Sequence, residues 1–239
     1  MGAVHTAPVL KGDEMKKIVL LDLDNTIIDF NECARHSIMD IFEKLGFEYN
    51  ENVFETFITE NVKIWKRLEN GDIDKPYLRA NRWNIILAKL GIEYDGTIIE
   101  EEFENGVARG AYPVEGAYEL LDYLHPKYDL YVVSNGFRFV QESRVKIGKY
   151  DKYFKELFLS EDIGIQKPDL RFFDYCYSKL GYPEKKELIL IGDNISADIM
   201  GGNNFGIETI WFNPNGATAP PEIKPTYTVE KLAEIKNIL

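Results

Sequence analysis

The stretch Ile18 to Thr26, IVLLDLDNT, constrains the fold of this chain more than any other. Its four apolar residues, Ile18 to Leu21, are rich in β-branching and too few for a helix, so they read as a buried strand. Asp22, Asp24, Asn25 and Thr26 come next, and the strand ends in a small acidic turn. Residues two apart at a strand end project to the same side, which brings Asp22 and Asp24 together at the carboxyl edge. Open α/β sheets bind ligands at that edge. Two carboxylates so close repel unless a cation or a shared proton compensates, and that cost points to chemistry. The bland alternative is a buried strand running into an ordinary Asp/Asn turn.

Size and charge bound what such a site can serve. A chain of 239 residues accommodates one large domain or a core with an insert, and 45% hydrophobic with 13% aromatic residues supplies a sizeable core. The formal charge of -12 argues against non-specific binding to nucleic acid or to an anionic membrane. It also means that an anionic substrate would need local positive charge, such as a metal ion. Cys33 and Cys176 lie far apart with no CxxC pattern, which suits a reducing cytoplasm and gives no zinc signal. No apolar run approaches a membrane span. Residues 1–14 lack a signal-peptide core, and Met15-Lys16-Lys17 looks like a more natural start, so they read as a flexible leader and a cytoplasmic location is expected.

After Thr26 the chain turns helical. Asn31 is expected to cap a helix with the stripe Ala34, Ile38, Ile41, Phe42 and Leu45, closed by Gly46. Asn50 opens a second, with Val53, Phe54, Phe57, Ile58, Trp65 and Leu68 on one face and Gly71 past its end. Asp74 and Pro76 open a third, stopped by Gly91, and Thr97 with Glu100 has the spacing of a capping box for a fourth. Together these form a small helical bundle behind the first strand. Two polar residues interrupt its apolar stripes: Asn61 between Phe57 and Trp65, and Arg82 between Leu78 and Ile85/Ile86. Polar residues on such faces are usually satisfied core groups, yet an arginine is seldom buried without a partner. If the insert faces the acidic turn, they would contact substrate.

From Val114 an α/β rhythm resumes. A helix with Ala117, Leu120, Leu121 and Leu124 precedes a strand, Leu130 to Val133, which ends in Ser134-Asn135-Gly136. That turn offers a hydroxyl and backbone N–H groups to an anion. A short strand at Leu157 to Leu159 and then Gln166-Lys167-Pro168-Asp169 lead into the helix of Phe172, Phe173, Cys176 and Leu180. The strand Leu188 to Ile191 runs into Gly192-Asp193-Asn194-Ile195-Ser196-Ala197-Asp198, a second buried strand ending in carboxylates. A last strand, Ile207 to Phe212, precedes a Pro/Gly-rich stretch from Pro214 to Pro225 and a terminal helix from Glu230.

The ordered set DxDxT, Ser134-Asn135, Lys167-Pro168 and GDxxxxD, each behind an apolar run, resembles the haloacid dehalogenase superfamily from about Met15 to the end. The resemblance implies an α/β fold: a Rossmann-like parallel sheet with helices on both faces, over 15–28 and 114–239, plus an inserted all-α helical-bundle cap over 29–113. Within the superfamily the chain is most similar to the pyrimidine 5′-nucleotidase branch of bacterial nucleoside monophosphate phosphatases. The similarity runs through Asn61, Trp65 and Asn70-Gly71, Ser134 to Phe137, Lys167-Pro168 with Phe172 to Tyr175, Gly192 to Gly202, and Pro225 to Val229. Asn194 departs from the pattern, in a place often taken by a small hydroxyl residue or a second acid.

What the resemblance implies is a Mg²⁺-dependent phosphatase working through an aspartyl-phosphate on Asp22. Asp24 would protonate the leaving oxygen and then activate water, with its main-chain carbonyl on the metal. Asp22 and Asp193 would be the carboxylate ligands, with Asn194 and Asp198 behind them. Lys167 would sit between Asp22 and the phosphate, cancelling charge, and Ser134 with the N–H groups near Asn135 and Thr26 would hold the phosphate oxygens. Asn61, Trp65 and Arg82 would meet the rest of a small phosphate ester, a nucleoside monophosphate above all. Dehalogenase relatives lack an acid at the place of Asp24. A sugar-phosphate mutase, a sugar-phosphate phosphatase or a phosphoglycolate phosphatase uses the same core and remains the enzymatic alternative. A non-catalytic phosphate-binding scaffold would tolerate loss of Asp22, Asp24 or Lys167, and all are present. Monomer and dimer are both open.

Overall fold

The computed structural model describes residues 17–239, so the leader expected over residues 1–14 lies outside the described residues. Six strands form one parallel sheet: β1 Ile18–Leu21, β2 Asp129–Ser134, β3 Phe154–Leu159, β4 Leu188–Gly192, β5 Glu208–Phe212 and β6 Tyr227–Val229, in the order β3-β2-β1-β4-β5-β6. Both faces of the sheet are covered, which is why β1 and β4 read as continuous apolar runs without alternation. Val19, Leu21, Ile189 and Ile191 pack on one face with α5 (Ala117–Leu124) and α6 (Arg138–Ile147). Leu20, Leu188 and Leu190 pack on the other with Phe172, Phe173 and Cys176 of α8 (Leu170–Lys179). The short helices α7 (Ser160–Ile163) and α9 (Gly201–Phe205) complete the connections.

Between β1 and α5 the chain forms four helices: α1 Phe30–Leu45, α2 Glu51–Glu69, α3 Lys75–Leu90 and α4 Gly96–Arg109. They pack α2 on α3, α3 on α4 and α4 on α1, around Phe42, Phe57, Trp83 and Phe103, all buried. Asn50 and Asp74 cap α2 and α3 as expected, and Gly46 and Gly91 close α1 and α3 in the left-handed region. Among the described residues no helix is long and apolar enough to cross a membrane.

Several local expectations are corrected. Asp29, not Asn31, caps α1, accepting from the Glu32 N–H at 2.9 Å. The Thr97/Glu100 capping box does not form: Asp95 caps α4, and the Glu100 carboxylate turns inward to Arg82. The chain behind β4 is wound as a π-helix from Ile195 to Met200 before α9 begins. An extra edge strand, β6, follows the Pro/Gly-rich stretch, and the terminal helix is a short 3₁₀ segment, Leu232–Asn237.

Candidate active site

The strand order reverses between β1 and β4, and such a switch point opens a crevice at the carboxyl ends of the strands. Register decides what meets there. Leu21 lies opposite Ile191, and the Asp22 N–H donates to the Ile191 carbonyl at 2.9 Å, so Asp22 and Asp193 leave the sheet side by side. Leu21 also lies opposite Val132, which puts Ser134 just beyond the same edge. A cavity of about 320 Å³ occupies the crevice, lined by Asp22, Asp24, Ser134, Asn135, Asp193 and Asn194 from the sheet side. The helical insert closes it with Phe30, Asn61, Trp65 and Glu69.

Lys167 is the hub of the buried charges. It is 1% exposed, and its ammonium donates to Asp22 Oδ1 at 2.7 Å, Asp198 Oδ1 at 2.6 Å and the Val133 carbonyl at 2.6 Å. Those bonds use all three of its donors. Asn135 positions it from behind: its side chain accepts from the Lys167 N–H and donates to the Lys167 carbonyl, each at 2.9 Å. Asp198 holds the Asn194 N–H through its other oxygen at 3.1 Å. A Cβ at Gly192 would collide with the Asp198 carboxylate, which accounts for the glycine ahead of Asp193. Asn194 caps the π-helix through Ser196 and Ala197 and donates to Glu69 of the insert at 2.9 Å. Ser196 Oγ donates to the same carboxylate at 2.9 Å.

Thr26, expected at the phosphate, sits elsewhere. It is wholly buried, its N–H turns back to the Leu23 carbonyl at 3.3 Å, and its hydroxyl lies 3.5 Å from Asp193 Oδ1. It shapes the turn beneath Asp193 instead of lining the cavity.

Two residues missed in the sequence complete the site. Asp24 is not compensated by Lys167 but by Arg144 of α6, whose Nη2 donates to Asp24 Oδ1. Gln141, one turn earlier, donates through Nε2 to Asp24 Oδ2 at 2.6 Å and to Ser134 Oγ at 2.9 Å. In the sequence both look like ordinary polar positions of an amphipathic helix behind the Ser134 turn. The only available hint was proximity to that turn.

The insert contributes differently from expectation. Asn61 and Trp65 line the cavity. Arg82 instead lines a smaller adjoining cavity of about 40 Å³ with Asp24, Phe30 and Trp65; it is 3% exposed and donates through Nε and Nη2 to Glu100, and through Nη1 to Asn61 Oδ1 at 3.2 Å. Its guanidinium is neutralised by Glu100, and it orients Asn61 for the larger cavity. The α2–α3 end also grips the sheet side: Lys75 donates to Ser160 Oγ at 2.9 Å and to the Gly136 carbonyl at 3.3 Å. Arg79 lies over the Phe137 ring at 3.9 Å.

The charge balance specifies what is needed in addition. Asp22, Asp24, Asp193 and Asp198 converge with Lys167 and Arg144, while Lys66 and Glu69 at the rim face each other at 3.6 Å. Four carboxylates against two cations leave two negative charges in excess. Burial first, then Asp198 and Asp24, push the Asp22 carboxyl up to about 7 although Lys167 pulls it down. Burial and the neighbouring carboxylates Asp22, Asp198 and Asp24 also hold Asp193 well above the usual range. Oxygen atoms of Asp22, Asp193 and Asp198 lie within 4.8 Å of one another. An all-oxygen donor set with a deficit of two positive charges fits a hard divalent cation. Since both Asp198 oxygens already accept hydrogen bonds, Asp22 and Asp193 are the carboxylates free to hold it.

Comparison with known proteins places this geometry among relatives. The family model described as haloacid dehalogenase-like hydrolase matches residues 19–212. Pyrimidine 5′-nucleotidase PynA of Streptococcus pneumoniae is 32% identical over 229 residues, covering 93% of this chain and 97% of its own. Pyrimidine 5′-nucleotidase YjjG of Escherichia coli is 28% identical over 221 residues, covering 92% and 96%. The HAD-hydrolase YfnB of Bacillus subtilis is 31% identical over 223 residues, covering 93% and 95%. Its magnesium-bound crystal structure, described as revealing interdomain movement, superposes with a TM-score of 0.89 over 94% of this chain and 99% of that one.

Proposed function

The chain belongs to the haloacid dehalogenase-like hydrolase family, and from that premise we propose that it is a Mg²⁺-dependent phosphomonoester hydrolase acting on nucleoside monophosphates, pyrimidines preferred. One observation carries the phosphatase reading: Asp24 shares the cavity with Asp22 and has its own cation in Arg144, apart from the Lys167 that serves Asp22. The two carboxylates are thus held for different tasks. A hydrolase that only displaced halide would need the nucleophile and not the second acid.

Asp22 attacks the phosphorus, the bond to the leaving oxygen breaks, and Asp24 delivers the proton that makes that oxygen an alcohol. Water then attacks the phosphorus of the aspartyl-phosphate, Asp24 takes the water's proton, and phosphate leaves with Asp22 restored as a carboxylate. The Ser134 hydroxyl donates to the equatorial oxygens, where charge spreads in the transition state, and Lys167, its donors engaged on Asp22, Asp198 and Val133, stabilises them through its charge. Mg²⁺ would be held by Asp22, Asp193 and the main-chain carbonyl of Asp24, and would supply charge neutralisation at the phosphoryl oxygens. Trp65 gives the cavity an aromatic face, and Asn61, its Oδ1 engaged by Arg82, offers the amide N–H groups suited to an acceptor on a base or sugar. The two nucleotidase relatives support the nucleotide as substrate.

Activity against a panel of phosphate monoesters with Mg²⁺ tests the reading. Pyrimidine nucleoside monophosphates are expected to lead. A clear preference for phosphoglycolate or a sugar phosphate would overturn the nucleotide assignment, and hydrolysis of no phosphomonoester would overturn the class.

A further inference from the structure

We propose that Arg144 and Gln141 are positioning residues that fix the plane of the Asp24 carboxylate and lock it in register with Ser134. The proposal rests on the reading of Asp24 as the group that serves both the leaving oxygen and the water.

Three observations carry it. First, both Asp24 oxygens receive donors from one face of α6: Oδ1 from Arg144 and Oδ2 from Gln141 at 2.6 Å. The residues stand three apart, neighbours on one helix face, and Arg144 Nη2 also donates to Gln141 Oε1 at 3.1 Å. An aspartate side chain has two free torsions, and a donor on each oxygen removes both. The Asp24 side chain keeps 29% of its surface exposed, and it lines the cavity beside Asp22.

Second, the arginine is placed at a cost to stability. Arg144 is 0% exposed, and its Nε and Nη1 are buried without a partner among the described residues. Donors of a charged group that are buried without a partner carry an uncompensated desolvation penalty, set here against the single ion pair with Asp24. What that penalty secures is a charged donor held on Asp24 and on Gln141.

Third, Gln141 is shared. Its Nε2 reaches Ser134 Oγ at 2.9 Å as well as Asp24, and a Cβ at Gly136 would collide with that amide. The glycine of the Ser134 turn thus leaves room for Gln141 to lie across it. One amide ties the hydroxyl that faces the phosphoryl group to the carboxylate that faces the leaving oxygen. Ser143 of the same helix anchors α6 to the insert, donating to the Ala108 carbonyl of α4 at 2.8 Å.

The test uses full-length protein with Mg²⁺ and p-nitrophenyl phosphate, in rapid-quench and steady-state modes, on wild type, Arg144→Met, Gln141→Met, Asp24→Asn and the double variant Arg144→Met/Asp24→Asn. An ångström of misplacement at a reacting group costs on the order of 10²-fold, so each clamp variant should lose about that factor in steady turnover. The first release of nitrophenol, whose leaving group barely needs a proton, should stay within about threefold of wild type. A stoichiometric burst with acid-trapped acyl-phosphate follows. KM should hold in Arg144→Met and rise in Gln141→Met, because only the latter also releases Ser134. With Asp24 already Asn, Arg144→Met should change turnover by less than about twofold, since residues acting through one group are not additive.

Wild-type steady turnover in a folded clamp variant would overturn the proposal, as would equal losses from Arg144→Met in both backgrounds. Near-UV circular dichroism checks folding, and if Arg144→Met does not fold, Gln141→Met decides. Ordinary turnover without a burst in Asp24→Asn itself would instead sink the underlying role of Asp24, and with it the clamp.

Discussion

Replacing Lys167 by Met removes the ammonium that joins the nucleophile loop to the β4 loop. The methionine fills the space, but Asp22 and Asp198 each lose a charged donor, at 2.7 and 2.6 Å. Breaking a buried ion pair by removing one partner costs about 3–5 kcal/mol, and here two carboxylates are stranded in a site already short of positive charge. At about 2–4 °C per kcal/mol for a chain of this size, the metal-free variant should melt roughly 6–20 °C below wild type at pH 8. The deficit should depend on pH. The Asp22 carboxyl, at about 7 in the folded protein, lies above its unfolded value. Between about pH 4 and 7 the folded state therefore holds a proton that the unfolded state has released, and stability falls as pH rises through that window. Without Lys167 the carboxyl moves higher still, so the window extends upward. Lys167 stays charged throughout: burial opposes its charge, and Asp198 and Asp22 more than reverse that. The difference between variant and wild type should thus be largest near pH 8 and shrink toward pH 5. Thermal unfolding followed by circular dichroism in EDTA, from pH 5 to 8.5, measures it. A variant melting within about 2 °C of wild type at pH 8 would refute the reasoning, since a 3 kcal/mol loss cannot hide in so small a shift.

Hydrolysis should require Mg²⁺ and stop in EDTA, with Ca²⁺ a poor substitute because it takes more ligands in looser geometry; full activity in chelator would remove the metal from the scheme. Mg²⁺ should also raise the melting temperature of wild type more at pH 8 than at pH 5, because below the Asp22 value of about 7 the ion must displace a proton. Asp22→Asn should abolish turnover and leave no phosphate on the protein after an acid quench. Asn61→Ala and Trp65→Ala should impair turnover of a nucleoside monophosphate far more than that of p-nitrophenyl phosphate, and equal losses on both would make them structural. Arg82→Ala should be distinguished by a stability loss of about 3–5 kcal/mol, because it strands Glu100 inside the bundle; thermal unfolding reads it directly.

Much of the site was legible because its parts are local. Ile18 to Leu21 and Leu188 to Ile191 are short, apolar and β-branched, and each is followed at once by its carboxylates. Strand, edge and acid thus come from one contiguous stretch. The helix limits at Asn50, Asp74 and Gly91 were legible for the same reason, since a cap acts within one turn. Where two local solutions compete, sequence failed: Thr97 and Glu100 have the spacing of a capping box, but Asp95 was equally placed to cap. Burial of Arg82 then required Glu100 as its counter-charge. The edge strand β6, three residues just behind a Pro/Gly-rich stretch, carries too little pattern to announce itself.

By itself, then, the sequence determined the strand ends and the acids that follow them. Only the tertiary structure decided which cation neutralises Asp24. Asp22 meets Lys167 across 145 positions, as the ordered motifs implied, whereas Asp24 meets Arg144 across 120, a distance over which no periodicity or spacing carries information. Parallel strand register and the seating of α6 make those pairs. In a buried site, Coulomb attraction and the cost of an unpaired charge then select among whatever groups the fold has brought within reach.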